Sequence, residues 1–488
     1  MAWDDPTQEG PWTTLIESCL ARGAFDKAVE SALSATAAIP ASHGLQGMLA
    51  FSRLMNRDFP EAEAAIESLW SNRPTDLAAL THIGLVATGV GRHDLARAAL
   101  ERALQLRPED PQLQFNLATA LRNVGELAGA ETLYDSVIRR QPDHCEAHKN
   151  RSDLRRQTLD RNHLSELRAA IGRAASDWRG AMMLHYALGK ELEDLGDHDA
   201  AFAAYDAGAK LRRRHMQYDV AADVERLKRI IRVFDAEWLG RQPIGCQSTE
   251  PLFIIGLPRT GSTLLERMMG AHPGVLAAGE MHNFGICVAQ RIQRLEQRQS
   301  GDMIEASAHL DPLQLGDAYL ASTRHRTGKH PHFIDKLPGN FLYAGLIAAA
   351  LPNAAIIHIH RNPADAAFAM YKTLFNQAYP FSYDLRETGR YIRGYQNLMA
   401  HWHQLLPGRI IDVAYEELVG DPEGVLREVF RRCRLSFDPG SLAFFHSPDA
   451  VSTASAVQVR QPIYRTSVQS WRHYARHLGP LLEELETR

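Results

Sequence analysis

A chain of 488 residues is too long for one ordinary domain and sets an expectation of two or three. Apolar residues make up 45% and charged residues 23%, the balance of a globular protein, and a net charge of −4 argues against an overall nucleic-acid or membrane footprint. The five cysteines (Cys19, Cys145, Cys246, Cys287, Cys433) lie far apart without a C-x-x-C pair, which favours reduced thiols over disulfides or a zinc site.

The opening residues, MAWDDPTQEG, are acidic and polar, with none of the apolar character of a signal peptide. No apolar run reaches the roughly 18–20 residues a membrane span needs, so a cytoplasmic protein is expected. Further along, prolines fall at Pro40, Pro74, Pro108 and Pro142, at a constant spacing of 34 residues. Gly23, Arg57, Gly91 and Gly125 keep the same register, as do Ala28, Ala62, Ala96 and Ala130. Small residues recur again at Ala50, Gly84 and Ala118. Self-similarity at this period is the tetratricopeptide signature: small residues let paired helices approach, glycine permits the tight turn and proline stops the second helix. A further unit carries Gly189, Gly196 and Ala201 out of register by about three residues, and the stretch from Glu146 to Asp177 reads as a degenerate repeat. Residues 1–235 are thus expected to form a helical solenoid, a class that commonly binds extended peptides, so a protein or peptide partner is expected.

After Asp235 the pattern changes. A linker, GRQPIGCQSTE, leads to strand-like runs PLFIIG, HFIDK, AAIIHIH and RIIDVAYEEL. Their nearly continuous apolar character suits a parallel sheet buried on both faces. Helical stretches such as AGLIAAAL and RETGRYIRGYQNLMAHWHQLL lie between them. The alternation over 251–488 predicts a three-layer α/β domain whose ligands bind at the carboxyl ends of the strands.

The first of those strands runs into Gly256-x-x-x-x-Gly261-Ser262-Thr263, the spacing of a nucleotide phosphate loop, but Ser262 stands where the lysine belongs. The candidate second strand, AAIIHIH, is followed by Arg361 instead of a magnesium-binding acid. The loop still offers backbone N–H groups and a helix N-terminus to an anion. A donor with a 5′-phosphate, a further 3′-phosphate and no need of a metal fits this inventory: 3′-phosphoadenosine 5′-phosphosulfate (PAPS), which leaves as PAP.

The pair PLFIIGLPRTGSTLLERMM and IHIHRNPADAAFAMY resembles the two PAPS-binding motifs of sulfotransferases. The half from 251 to 488 is most similar to the tyrosylprotein sulfotransferase-like branch, and the whole resembles bacterial proteins that join tetratricopeptide repeats to that domain. The resemblance implies that Arg259, Thr260, Gly261, Ser262 and Thr263 hold the phosphosulfate, and that Arg361 holds the 3′-phosphate. It implies Glu280 as the base that takes the acceptor's proton, and Lys336 as the charge on the breaking bond. Tyr415 matches an aromatic at the nucleotide, and the segment 453–474 is similar to a lid over the donor. In that lid Ser455 takes the place of a serine that stabilises the transition state, and Arg460, Arg465 or Arg472 is the candidate for its positive charge.

The chain departs from the family pattern at Ala369, where a serine is usual, and at Ser470, where animal relatives carry a lysine. Two readings stand from the sequence. One is a PAPS-dependent sulfotransferase of a protein or peptide acceptor, with a glycan or small molecule as the alternative. The other is a non-catalytic scaffold that holds a nucleotide. Homodimerisation is left open, and a fragment starting near Ser248 would keep every donor motif.

Overall fold

The computed structural model describes residues 7–296, 302–375, 378–446, 463 and 466–486. Helix pairs Glu9–Ala21 with Phe25–Ala38, His43–Met55 with Phe59–Ser71, Leu77–Gly89 with His93–Leu106 and Pro111–Val124 with Leu127–Arg140 follow the repeat. The turn column has left-handed backbone throughout: φ is 70° at Gly23, 66° at Arg57, 83° at Gly91 and 90° at Gly125. Arg57 therefore takes a glycine conformation at a cost of roughly 1–2 kcal/mol. Ala28, Ala62, Ala96 and Ala130 have no exposed surface. A Cβ on Gly84 would come within 2.4 Å of Leu100 Cγ, so the small residues mark where helices cross.

The degenerate stretch is a short helix, Cys145–Ser152, a loop, and a second helix, Leu164–Arg173. Buried Arg151 ties it to the last regular repeat, 2.7 Å from Asp135 and 2.8 Å from Glu166.

The described residues divide into two compact units, one up to Gly180 and the other from Ala181 onward. The repeat-like helices Trp178–Asp194 and His198–Arg214 therefore pack largely within the second unit. There the Tyr186 hydroxyl donates to the Tyr371 carbonyl at 3.1 Å, and the Tyr371 hydroxyl donates to Asp206 at 3.0 Å. Lys372 pairs with Glu193, and Arg213 holds Glu387 through two bonds of 2.7 and 2.8 Å. The packing boundary thus precedes the pattern boundary at Asp235. Repetition is a property of sequence, whereas a compact unit is defined by shared apolar surface.

The second unit is built on five parallel strands: β1 (Pro251–Gly256), β2 (Val275–Ala277), β3 (His332–Asp335), β4 (Ala355–His360) and β5 (Ile410–Ala414). Their order is β2-β3-β1-β4-β5. Strand β2, three residues inside HPGVLAAGE, carries too short an apolar run to be read in advance. The run RIIDVAYEEL divides, with the strand ending at Ala414 and a helix covering Tyr415–Gly420. One face of the sheet packs Leu252, Ile254, Ile334, Ile357, Ile359, Ile411 and Val413 against Leu265, Met268, Leu426 and Phe430. The helix Leu385–Leu405 lies on the opposite side of β4, where Trp402 is fully buried. Burying both faces explains the unbroken apolar runs.

Candidate active site

The chain runs from β1 out to β2 and β3 on one side, then crosses to β4 and β5 on the other. In such a sheet the crevice for ligands opens at the carboxyl ends beside the strand where direction reverses. Each of the five strands ends on one predicted residue or loop: β1 on the Arg259 loop, β2 on Glu280, β3 on Lys336, β4 on Arg361 and β5 on Tyr415.

The loop after β1 is tightly confined. Gly256 has φ 150°, and a Cβ there would meet the Ile359 carbonyl at 2.3 Å. Gly261 has φ 100°, and a Cβ there would meet Tyr415 Cδ2 at 2.5 Å. Both positions admit only glycine, one because β4 passes close by and the other because an aromatic ring closes the loop. Arg259 also has a left-handed backbone, φ 66°. The Thr260 hydroxyl donates to the Leu257 carbonyl at 2.7 Å, so it braces the loop from inside. Gly261 caps the helix Ser262–Gly270 without a side-chain cap, so the helix start is shaped by backbone alone.

Arg361 leaves β4 next to this loop. Its Nη1 donates to the Arg259 carbonyl at 3.3 Å, and its guanidinium lies 4.8 Å from the centre of the Tyr415 ring. Its Nη2 donates to the Ser467 carbonyl, while buried Nε has no partner among the described residues. The Tyr415 hydroxyl lies 2.6 Å from Ser467 Oγ. Asp365, four residues past Arg361, is fully buried and accepts from Gln469 N at 2.7 Å and Trp471 N at 3.0 Å. Ser470 donates its hydroxyl to the same carboxylate at 3.3 Å. Residues 467–471 are thereby fastened over Arg361 and Tyr415. Ser455 and Arg460 lie outside the described residues.

On the other side of β1, Lys336 has no exposed surface, and its Nζ is 2.7 Å from Glu280 Oε1 and 3.7 Å from Glu266 Oε2. Glu280 is 44% exposed at its side chain, whereas Glu266 is buried and accepts the Gly279 N–H at 2.8 Å. Burial pushes the Glu266 carboxyl upward, and Lys336 and the Gly279 N–H act against that shift. Adjacent Asp335 is pushed up to about 7 by burial, although Tyr319, Met281 N and Asn340 all donate to it. Near Glu280, Tyr379 is pushed up to about 12, chiefly by burial and further by the Glu280 charge. Tyr379 sits at φ 52° and stacks edge-on with Phe375, ring centres 4.9 Å apart.

Glu266, Asp335, Asp365, Ser467 and Tyr379 escaped the sequence reading. Asp365 and Glu266 carried a usable signal, each a lone acid on a short helix with an otherwise buried face.

Residues 251–439 match the sulfotransferase family, and residues 48–111, 87–151 and 184–215 match tetratricopeptide repeats. The protein joins a tetratricopeptide array to a domain of the sulfotransferase family. An uncharacterized protein of Aquifex aeolicus is 31% identical over 408 residues, covering 82% of this chain. The chain spans 53% of that relative's length. A putative protein-tyrosine sulfotransferase of Caenorhabditis briggsae is 23% identical over 245 residues, covering 45% of this chain and 80% of that protein. Among solved structures, the sulfotransferase domain of the Synechococcus PCC 7002 olefin synthase aligns with 48% of this chain and 90% of its own, at 22% identity and a TM-score of 0.36. Among the described residues no helix is long and apolar enough to cross a membrane.

Proposed function

We propose that the chain transfers a sulfuryl group from PAPS to the hydroxyl of a tyrosine in a protein or peptide, releasing PAP. One observation carries this reading: a glycine-shaped loop bearing Arg259 and the Arg361 guanidinium share the carboxyl ends of one parallel sheet with a Glu280–Lys336 pair. The residues present suit the donor. The Arg361 Nε, without a partner among the described residues, and the helix start at Gly261, which has no side-chain cap, are two separate sites that suit anions, as a ligand with phosphates at both ends requires.

PAPS, when bound, supplies an activated sulfuryl group on a phosphate leaving group. Arg259 and the N–H groups from Thr260 to Thr263 hold the phosphosulfate end, and Arg361 holds the 3′-phosphate, with Tyr415 against the nucleotide. Ser455 and Arg460 are assigned to the lid on resemblance alone. Glu280 takes the proton from the acceptor oxygen as that oxygen bonds to sulfur. Lys336 donates to the bridging oxygen and stabilises the charge that gathers there as the old S–O bond breaks. No magnesium is needed in this scheme, because cationic side chains and N–H dipoles carry the anionic charge.

The acceptor assignment rests on three supports. Tyr379, which feels the Glu280 charge, and Phe375 packed against it supply an aromatic surface that suits a phenol. The repeat array suits capture of a polypeptide. The similarity to the Caenorhabditis briggsae protein points the same way.

The test is incubation of the full-length chain with labelled PAPS and paired peptides containing tyrosine or serine. Label on the tyrosine peptide, reduced roughly 10²–10⁴-fold by Glu280→Ala with PAP affinity kept, is the expected result. Undiminished transfer by Glu280→Ala would remove that residue from the mechanism. Transfer only to glycans or small phenols would move the acceptor class, and no transfer at all would favour a nucleotide-holding scaffold.

A further inference from the structure

Strands β4 and β5 lie side by side with His358 opposite Asp412. His358 Nδ1 is 2.7 Å from Asp412 Oδ1. From the helix Leu385–Leu405, His403 brings its Nε2 to 3.2 Å from the same oxygen. Two imidazoles and one carboxylate thus converge, with all three ligand atoms within 4.8 Å of one another. A fourth group is close: the His360 ring, two residues along β4, is centred 5.3 Å from that of His358. Alternation along the strand places His358 and His360 on one face of the sheet. None of these residues has a role in the scheme above.

We infer that His358, His403 and Asp412 form a binding site for a divalent transition cation, with zinc as the best-suited ion. Three features support it. Ligands about 2.0–2.2 Å from a tetrahedral zinc stand roughly 3.3 Å apart. The two imidazoles lie 2.7 and 3.2 Å from the Asp412 oxygen and within 4.8 Å of each other, close enough for side-chain rotation to admit the ion. A metal-bound imidazole normally has its second nitrogen held by an outer partner, and His358 Nε2 lies 2.6 Å from the hydroxyl of buried Tyr395. Finally, the Asp412 and His403 side chains are 46% and 38% exposed, which gives the ion a path from solvent and leaves a position for water or His360. Two nitrogen donors with one carboxylate favour zinc and its neighbours over magnesium or calcium.

The cation's role follows from where it sits. It ties β4 to β5 and both to the covering helix. His360 directly precedes Arg361 and Ala414 directly precedes Tyr415, so the ion steadies the strand ends that carry those two residues.

The test uses the full-length chain, stripped with a chelator and then titrated with zinc against a chromogenic competitor. One tight equivalent is expected, and cobalt in its place should give the visible absorption of a four- or five-coordinate nitrogen–oxygen site. His358 is buried, so the decisive variants are the two exposed ligands. His403→Ala and Asp412→Asn should each abolish the tight equivalent, and Tyr395→Phe should weaken it roughly 10–100-fold. The inference is overturned if the wild-type chain takes up no zinc in competition. It is equally overturned if the equivalent persists unchanged in both His403→Ala and Asp412→Asn, which would mark the cluster as a hydrogen-bond network only.

Discussion

Lys336, which has no exposed surface, bridges to Glu266, which is buried beneath it, as well as to Glu280 at the mouth of the site. Its charge therefore has a structural duty besides any catalytic one, because a buried carboxylate left without its cation is costly.

The two duties of Lys336 can be separated. Lys336→Met should destabilise the chain by about 3–5 kcal/mol, through the uncompensated Glu266. Adding Glu266→Gln should restore much of that loss in a denaturant melt while turnover stays low. If the double variant recovers turnover as well, Lys336 acts only as a counterion.

Donor binding should follow Arg361 and not magnesium. Arg361→Ala should weaken PAP by about 1.5–3 kcal/mol through a lost charge-assisted contact. Calorimetry in magnesium-free buffer should give the same wild-type affinity as in its presence. ATP bound as tightly as PAP, or PAP binding that requires magnesium, would defeat the donor assignment.

Asp335 should make stability depend on pH. Its carboxyl titrates near 7 when folded and near 3.8 when unfolded, so between those values the folded chain binds more protons. Its contribution is greatest below the unfolded value, is lost as pH rises through 7, and then levels off. A shift of that size corresponds to about 4 kcal/mol at most, from about 1.4 kcal/mol per pH unit. Asp335→Asn keeps an acceptor for Tyr319 and should flatten this part of a stability–pH profile. A profile with the same slope in the variant would assign the effect to another group.

A fragment beginning near Ser248 retains the donor motifs but loses Tyr186, Phe202 and Leu227. Phe202 stacks against Tyr371 with ring centres 6.2 Å apart, and Leu227 lies against Gly394. Such a fragment exposes apolar surface and should aggregate or melt without cooperativity. A fragment beginning near Asp177 keeps those helices and should give one cooperative transition that PAP raises. If both fragments melted alike, the helices from 178 to 240 would contribute nothing to the second unit's stability.

The repeat and the order of the strand and loop motifs are written in local sequence. A 34-residue period needs only columns such as Ala28, Ala62, Ala96 and Ala130, because each repeat makes the same helix crossing. A strand-glycine-helix loop is equally legible in its spacing, although the close approach of Ile359 to Gly256 and of Tyr415 to Gly261 is a tertiary fact. The tertiary structure decided what depends on distant neighbours. That Glu266 lies under Lys336, that Asp365 fastens residues 469–471, and that His358, Asp412 and His403 share one oxygen are facts of strand order and helix placement. The segments concerned lie tens of residues apart, and no local propensity encodes such pairs. The units divide at Gly180 for the same reason: the last repeat keeps its sequence signature while its apolar face is spent on the sheet domain.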